Sequence, residues 1–476
     1  MSFSVSSNVV TGNFNSVVLS GVYGMAASSL GGIYYTTNSG QTWTLSSSFT
    51  SYIFTSLAIS SSGTYGIAGS VSNGIFYTIN NGITWTQSTS VISVTINSLS
   101  LSGTNGIAGS VSNGLYYTTD SGQTWTQISN YNTLSFGSVS LYGQYGVAGS
   151  NSGIFATFDS GAQLYSTNIT TGFFNSVSFS GTSGIASFTG APNTGIYYTL
   201  NNDILTWNPS NLTSNFCVSL SNTNGIAGST SGTTGSGIYY TITSGQTWIV
   251  SNVTSGKFNS VYLSGNLGIA CSASNKGIYY TSNSGETWTQ SNINTGIFRS
   301  AMISGTNAVA GSGSNSNIGL YYNTTPLCYE KNVEILCLID DIETYVKICE
   351  IKTEMMVKTY KTGYKKVSKI IKFNYITMDA NNDLECLYKM KENNNIILTG
   401  GHSILEDEIT EEQKNNKYKF CKTIEDKHLV LACLSDKFEK ITEVKSYELY
   451  HLLLENGHYG IYITNGVLLE SFCEDY

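Results

Sequence analysis

Charge is nearly missing from the first two thirds of this 476-residue sequence. Residues 1–325 hold seven charged side chains, Asp120, Asp159, Asp203, Lys257, Lys276, Glu286 and Arg299, and the last 151 residues hold the other 45. Four acids against three bases leave the first part at −1, so the second carries −7 of the net −8. Neither part offers the basic field that non-specific binding to nucleic acid or anionic lipid requires, and no nucleic-acid partner is expected. Arginine occurs once, at Arg299. Long apolar runs are absent as well: nothing approaches the ~20 residues of a membrane span, so no span is expected. The opening MSFSVSS lacks the basic and apolar regions of a signal peptide, which argues against ordinary secretion. Nine cysteines, an odd number without regular spacing or a CxxC pair, exclude a disulfide framework and a zinc site. Reduced thiols in a cytosol-like compartment are expected, with no metal and no cofactor.

What is present is repetition. A unit of the form FNSVxLSGxxGIAGSxxxGIYYTTNSGQTWTxS begins at Phe14 and returns at Phe54, Ile96, Phe136, Phe174, Phe216, Phe258 and Phe298, at intervals of 38 to 42 residues. That length accommodates four strands of about 5–6 residues with their turns, the size of one propeller blade. Alternation within GIYYTT at Gly32–Thr37 would set Ile33 and Tyr35 on one face and Tyr34 and Thr36 on the other. The small-residue strand GIAGS suits a crowded position near a central axis where blades converge. The last unit, Phe298 to Thr325, stops after three strands, and the N-terminal SFSVSSNVVTGNFNSV aligns with TWIVSNVTSGKFNSV. Phe3 to Ser6 can therefore supply the missing fourth strand, close the ring and remove its exposed edges. The expected fold is all-β: an eight-bladed β-propeller over residues 1–325, with seven blades as the alternative count.

The turn TTNSGQTW, Thr36 to Trp43, resembles the Asp box of BNR-type propellers, Ser/Thr-x-Asp-x-Gly-x-Thr-Trp. An Asx side chain accepts backbone N–H bonds in such a turn, and the glycine tolerates positive φ. The acid survives at Asp120 and Asp159, while Asn38, Asn80, Asn201, Thr243 and Asn283 stand in its place elsewhere. Trp43, Trp85, Trp125, Trp207, Trp248 and Trp288 recur at one position of the unit, which indicates packing. The resemblance implies that all these residues are structural. Some Asp-box propellers are sialidases, which need an arginine cluster and paired carboxylates; a single arginine and four scattered acids do not provide them. A surface dense in Ser, Thr, Asn and Tyr could serve a glycan or protein ligand. Sequons at Asn168, Asn211, Asn252 and Asn323 are read as chance matches in so polar a segment.

At Pro326 the composition changes, and residues 326–476 read as a second, mainly β domain through segments such as VEILCLI, TYVKICEI and HLVLACL. Glu406 to Lys419 reads as a loop or short helix. Cys328 opens this part, TGGH follows at Thr399 to His402, and His451 and His458 lie in YHLLLENGHYGIYITNGVLLES. The order resembles the Hint domain of hedgehog autoprocessing segments and inteins, especially in large DNA viruses and bacteria. Cys328 to Leu336 is similar to its opening block, Thr399 and His402 to its Thr-x-x-His block, and Tyr462 to Ser471 to its closing Asn-Gly-x-Leu-x-Glu-Ser segment. Asn332 departs from the glycine common there.

The resemblance implies single-turnover cleavage at the Leu327–Cys328 junction. Cys328 would attack the carbonyl of Leu327, His402 with Thr399 would promote departure of the peptide nitrogen, and His451 or His458 would activate the group that resolves the thioester. Water or a small nucleophile is the expected acceptor. Only three residues follow Cys473, so hedgehog-like cleavage is a better analogy than splicing. Cys217, Cys271, Cys337, Cys349, Cys386, Cys421 and Cys433 are assigned to packing. The sequence thus reads as a monomeric, self-processing propeller in a cytoplasm, or in host cytoplasm or a virion if the source is viral. The alternative is a non-catalytic binding propeller with a degenerate Hint domain.

Overall fold

The computed structural model describes residues 3–9, 12–49, 51–189, 195–231, 236–305, 307–313, 319–323, 329–376, 386–393, 395–400, 402–414, 422–443, 445–455 and 459–470, without the side chains of 369, 371, 373–376, 412, 414, 422, 446, 451 and 465. Two compact units divide the chain, Met1–Thr324 and Thr325–Tyr476.

In the first unit each sequence repeat folds as one antiparallel four-stranded sheet, and the described residues form eight of them. The first sheet runs Phe14–Ser20, Tyr23–Ser28, Ile33–Thr36, Thr44–Leu45. The last joins Phe298–Ser304, Asn307–Ser312 and Leu320–Asn323 to Ser4–Val5 from the other end of the chain, with Ser4 opposite Tyr322 and Val5 opposite Tyr321. Phe14–Ser20 packs against Phe298–Ser304 as it does against the next sheet's Phe54–Ile59, so the ring of sheets closes. This unit is a β-propeller, closed by its N-terminal strand.

The small residues of GIAGS lie where sheets converge, one strand away from the axis. The FNSV strand, whose neighbours are the first strands of adjacent sheets, is innermost, and GIAGS lies second. A Cβ on Gly109 would stand 2.8 Å from Phe136 Cβ, on Gly149 2.7 Å from Phe174 Cβ, and on Gly311 2.8 Å from Phe14 Cβ across the closure. Sheet-on-sheet stacking therefore keeps this position small, and Ala27, Ser187 and Cys271 stand at the equivalent place in other sheets.

An innermost strand has one edge without a β partner, and its N–H groups still need acceptors. Serines of the preceding sheet provide them: Val139 N donates to Ser98 Oγ at 3.1 Å, Leu141 N to Ser100 Oγ at 2.9 Å and Gly143 N to Ser102 Oγ at 2.9 Å. The same ladder crosses the closure, from Val17 N to Ser300 Oγ at 3.0 Å and Gly21 N to Ser304 Oγ at 2.9 Å. Ser98→Ala removes the acceptor without filling its place. A loss of about 1–2 kcal/mol in equilibrium unfolding is expected.

The second unit is mainly β. A nine-stranded sheet runs in the order Ile342–Lys347, Glu334–Ile339, Met356–Lys358, Tyr364–Ile376, Ser446–Leu454, Tyr329–Glu330, Ile397–Thr399, Leu387–Met390, Phe438–Lys440. A five-stranded sheet runs Lys422–Ile424, Lys427–Leu431, Ser403–Glu406, Leu468–Glu470, Gly460–Tyr462. Bridges Ile335–Ile463 and Thr359–Ile461 tie the two together around a core that includes Tyr329, Ile335, Cys337, Leu398, Leu452, Ile461 and Leu469. Within the segment read as loop or short helix, Glu411–Lys414 forms one α-helical turn.

Candidate functional site

The propeller turns use their Asx residues internally. Thr36 Oγ1 donates to Asn38 Oδ1 at 2.9 Å and accepts from Gly40 N at 3.0 Å, while Asn38 Oδ1 accepts from Thr42 N at 3.0 Å. Asn38 Nδ2 then donates to Thr42 Oγ1 at 2.9 Å, and where the acid is kept the direction reverses, Thr124 Oγ1 donating to Asp120 Oδ2 at 2.6 Å. A hydroxyl that can either donate or accept explains why Asn and Asp interchange along the repeats. Asn80, Asp159 and Asn283 repeat the arrangement. Asn201 does not: it lies at φ 58°, and the hydroxyl of Thr199 is given to the Asp203 carbonyl instead. The tryptophans are buried, and the indole N–H of Trp43, Trp85, Trp125, Trp248 and Trp288 donates to the turn glycine's carbonyl, that of Trp207 to Ile204.

Partial burial raises the Asp120 pKa, but hydrogen bonds from the Thr124 side chain and backbone and from Thr118 outweigh it, and the carboxyl is held below its ordinary value. A depressed folded-state pKa contributes stability above the unfolded pKa and loses it as pH falls through the folded one. Unfolding midpoints of wild type and Asp120→Asn are therefore expected to converge below about pH 4 and to separate above it, with the wild type the more stable.

Asn168, Asn211 and Asn252 are committed to structure. Each amide clasps the main chain of the next sheet's tryptophan: Asn252 Oδ1 accepts from Trp288 N at 2.7 Å and Asn252 Nδ2 donates to Trp288 O at 2.8 Å, and Asn168 and Asn211 hold Trp207 and Trp248 likewise. The nitrogen that would carry a glycan is the one that makes this bond. Asp120, Asp159, Asp203 and Glu286 sit in the third-to-fourth-strand turns of four different sheets, and Arg299 donates to Asn15 Oδ1 at 2.6 Å.

Cys217, whose thiol lies 3.3 Å from the Gly228 carbonyl, is pushed up to about 12 by burial, as Cys337 is; both stay protonated thiols, in keeping with packing. Cys349, assigned to packing from sequence, is exposed in the 3-10 turn Ile348–Glu350, and this corrects that assignment.

In the second unit, three sequence blocks far apart in the chain meet at one carbonyl. His402 is 0% exposed and follows the strand that ends at Thr399; its backbone N closes a turn onto Thr399 O at 2.9 Å, and Ala432 N donates to His402 O at 2.7 Å. His402 Nε2 lies 3.0 Å from the main-chain oxygen of Glu470, and Tyr329 Oη donates to the same oxygen at 2.6 Å. The Tyr329 and His402 rings meet edge to face at 4.4 Å. A carbonyl can only accept, so this contact requires the tautomer that carries its proton on Nε2. Thr399 is 5% exposed and pairs with Leu387.

Of the other residues expected in the site, Leu327, Cys328 and His458 lie outside the described residues, as does Cys473. His451 follows Tyr450, which pairs with Tyr329 across the sheet; its side chain also lies outside. Asn332 is not at positive φ and needs no glycine: its N and Nδ2 donate to the buried Glu330 carboxylate at 2.8 and 3.1 Å. Strand alternation sends Glu330 to the face opposite Tyr329, where a cavity of 580 Å³ is lined by Glu330, Lys389, Ile397, Glu439 and Tyr447 among others. Sequence reasoning missed Tyr329 and Glu470.

No family model and no curated protein matches the sequence. Among solved structures, the computationally designed Ika8 protein is similar with a TM-score of 0.54 at 13% identity, over 67% of this chain and 99% of its own. BamB from Moraxella catarrhalis aligns with a TM-score of 0.47 at 12% identity, over 68% of this chain and 98% of its own. For the WD40 β-propeller domain of Doa1 the values are 0.43, 11%, 68% and 97%. At 13% identity the likeness to the Ika8 protein is one of fold. No helix among the described residues is long and apolar enough to cross a membrane.

Proposed function

We propose that the C-terminal unit is a Hint-type domain that cuts its own chain at Leu327–Cys328 and so releases the propeller or transfers it to a small nucleophile. The same reading takes the repeat turns for Asp boxes that hold the propeller together. What supports the cleavage reading is the shared Glu470 carbonyl: it gathers the residue next to Cys328, the Thr-x-x-His block and the closing segment at one buried point.

The chemistry balances as an isomerisation followed by a hydrolysis. Cys328 Sγ gives its proton to His402 Nδ1 and bonds to the Leu327 carbonyl carbon; the Leu327 C–N bond breaks, and the Cys328 nitrogen takes that same proton back from Nδ1. Water then bonds to the thioester carbon, the C–S bond breaks, and the thiolate regains a proton. An added thiol or hydroxylamine would take the place of water. Burial of His402 and its fixed Nε2–H keep the acid oriented without cost at the moment of transfer.

Intact-mass spectrometry tests the proposal on the full chain, wild type beside Cys328→Ala, with and without hydroxylamine. Two fragments that meet at Leu327 and Cys328 in the wild type alone, formed faster with hydroxylamine, are expected. A wild type that stays whole in both conditions would leave a propeller whose role lies in binding.

A further inference from the structure

Glu470 contributes a main-chain carbonyl, and that carbonyl takes two donors from different parts of the fold. Tyr329 stands one peptide bond from Cys328, is 0% exposed, and is held on both sides by backbone pairing with Leu398 and Tyr450. Its hydroxyl at 2.6 Å and His402 Nε2 at 3.0 Å reach one oxygen, and the two rings touch. A third link is the main-chain pairing of Ile404, two residues beyond His402, with Leu469, one before Glu470. The histidine is thus fixed by the strand that begins at the next residue and by the acceptor it shares with the residue beside the nucleophile.

We propose that Tyr329 is a positioning residue for His402: its hydroxyl anchors the Glu470 carbonyl, and that carbonyl holds the imidazole in one tautomer with Nδ1 turned to its task. This rests on the self-cleavage reading for its consequence, while the orientation of His402 can be read without it. The two hydrogen bonds polarise a common acceptor, and the edge-to-face contact limits rotation of the ring. Tyr329→Phe keeps the ring contact and deletes only the hydroxyl. Tyr329→Ala deletes both.

Four histidines make the test direct. Histidine labelled with ¹⁵N is introduced into the full chain in a Cys328→Ala background, so that no cleavage intervenes, and His402→Gln assigns the resonances. The wild-type tyrosine should give His402 a single set of signals with Nε2 protonated; Tyr329→Phe should move the Nε2 signal and admit the other tautomer. In chains that keep Cys328, Tyr329→Phe should slow hydroxylamine-dependent cleavage about tenfold, and Tyr329→Ala about a hundredfold. Unchanged His402 signals in Tyr329→Phe overturn the positioning role whether or not the chain cleaves. Changed signals with an unchanged cleavage rate overturn its part in the reaction. A wild type that never cleaves but shows the shift retains the positioning of His402 and removes the self-cleavage reading alone. Circular dichroism of both variants checks that the fold is kept.

Discussion

Replacing His402 by Gln should slow scission at Leu327–Cys328 by about 10²–10⁴-fold while the chain stays folded. Gln can still present an N–H toward the Glu470 carbonyl that Nε2 meets at 3.0 Å, but it cannot deliver a proton to the departing nitrogen. His402→Ala is the harsher change, because it also empties a site that is 0% exposed and strips the edge contact with Tyr329. If His402 acts as the acid, Gln and Ala should lose cleavage to a similar extent while differing in stability. If His402 only fills the core, Gln should cleave nearly as well as wild type. Single-turnover rates by mass spectrometry, beside unfolding curves of the same preparations, separate the two outcomes. The acyl shift is the step to follow, with hydroxylamine in excess so that resolution of the thioester is never limiting.

The propeller was legible because its information is repeated. Phe14, Phe54 and the other unit-opening residues mark a period that local propensity cannot obscure, and the incomplete last unit at Phe298 points to the N-terminus for its missing strand. The role of glycine in GIAGS was harder to read, since the Cβ clash belongs to Gly109 and Phe136 in different sheets, and no single repeat contains it. The serine ladder escaped for the same reason: Ser98 meets Val139 only after the sheets are stacked. In the second unit, His402 and Thr399 stand out as residue types, and Tyr329 and Glu470 do not. Glu470 acts through a carbonyl that every residue possesses, so its side chain gives no signal. Tyr329 looks like one more strand aromatic until its hydroxyl is seen to reach across 141 residues of sequence.

Phe3→Ala should destabilise the propeller by about 3–5 kcal/mol, a large part of the ~5–15 kcal/mol typical of a folded protein. Phe3 is 2% exposed and packs among Ile278, Phe298, Ile303 and Tyr321. It holds the place that tryptophan holds in other units: Asn292 Oδ1 accepts from Phe3 N at 2.7 Å and Asn292 Nδ2 donates to Phe3 O at 2.8 Å, as Asn252 does for Trp288. Asn292→Ala removes two hydrogen bonds but leaves the ring in place, so a smaller cost of about 1–3 kcal/mol is expected. All six tryptophans lie between Trp43 and Trp288, and their fluorescence reports unfolding of the propeller without interference from the second unit. Deleting residues 1–7 should go further than either substitution, because it strips the partner from Leu320–Asn323 and leaves that strand as an open edge. The deletion is expected to aggregate on warming where Phe3→Ala only unfolds earlier. A denaturation midpoint unmoved by Phe3→Ala would mean that Ser4–Val5 contributes nothing to closure, and that three strands suffice for the last sheet.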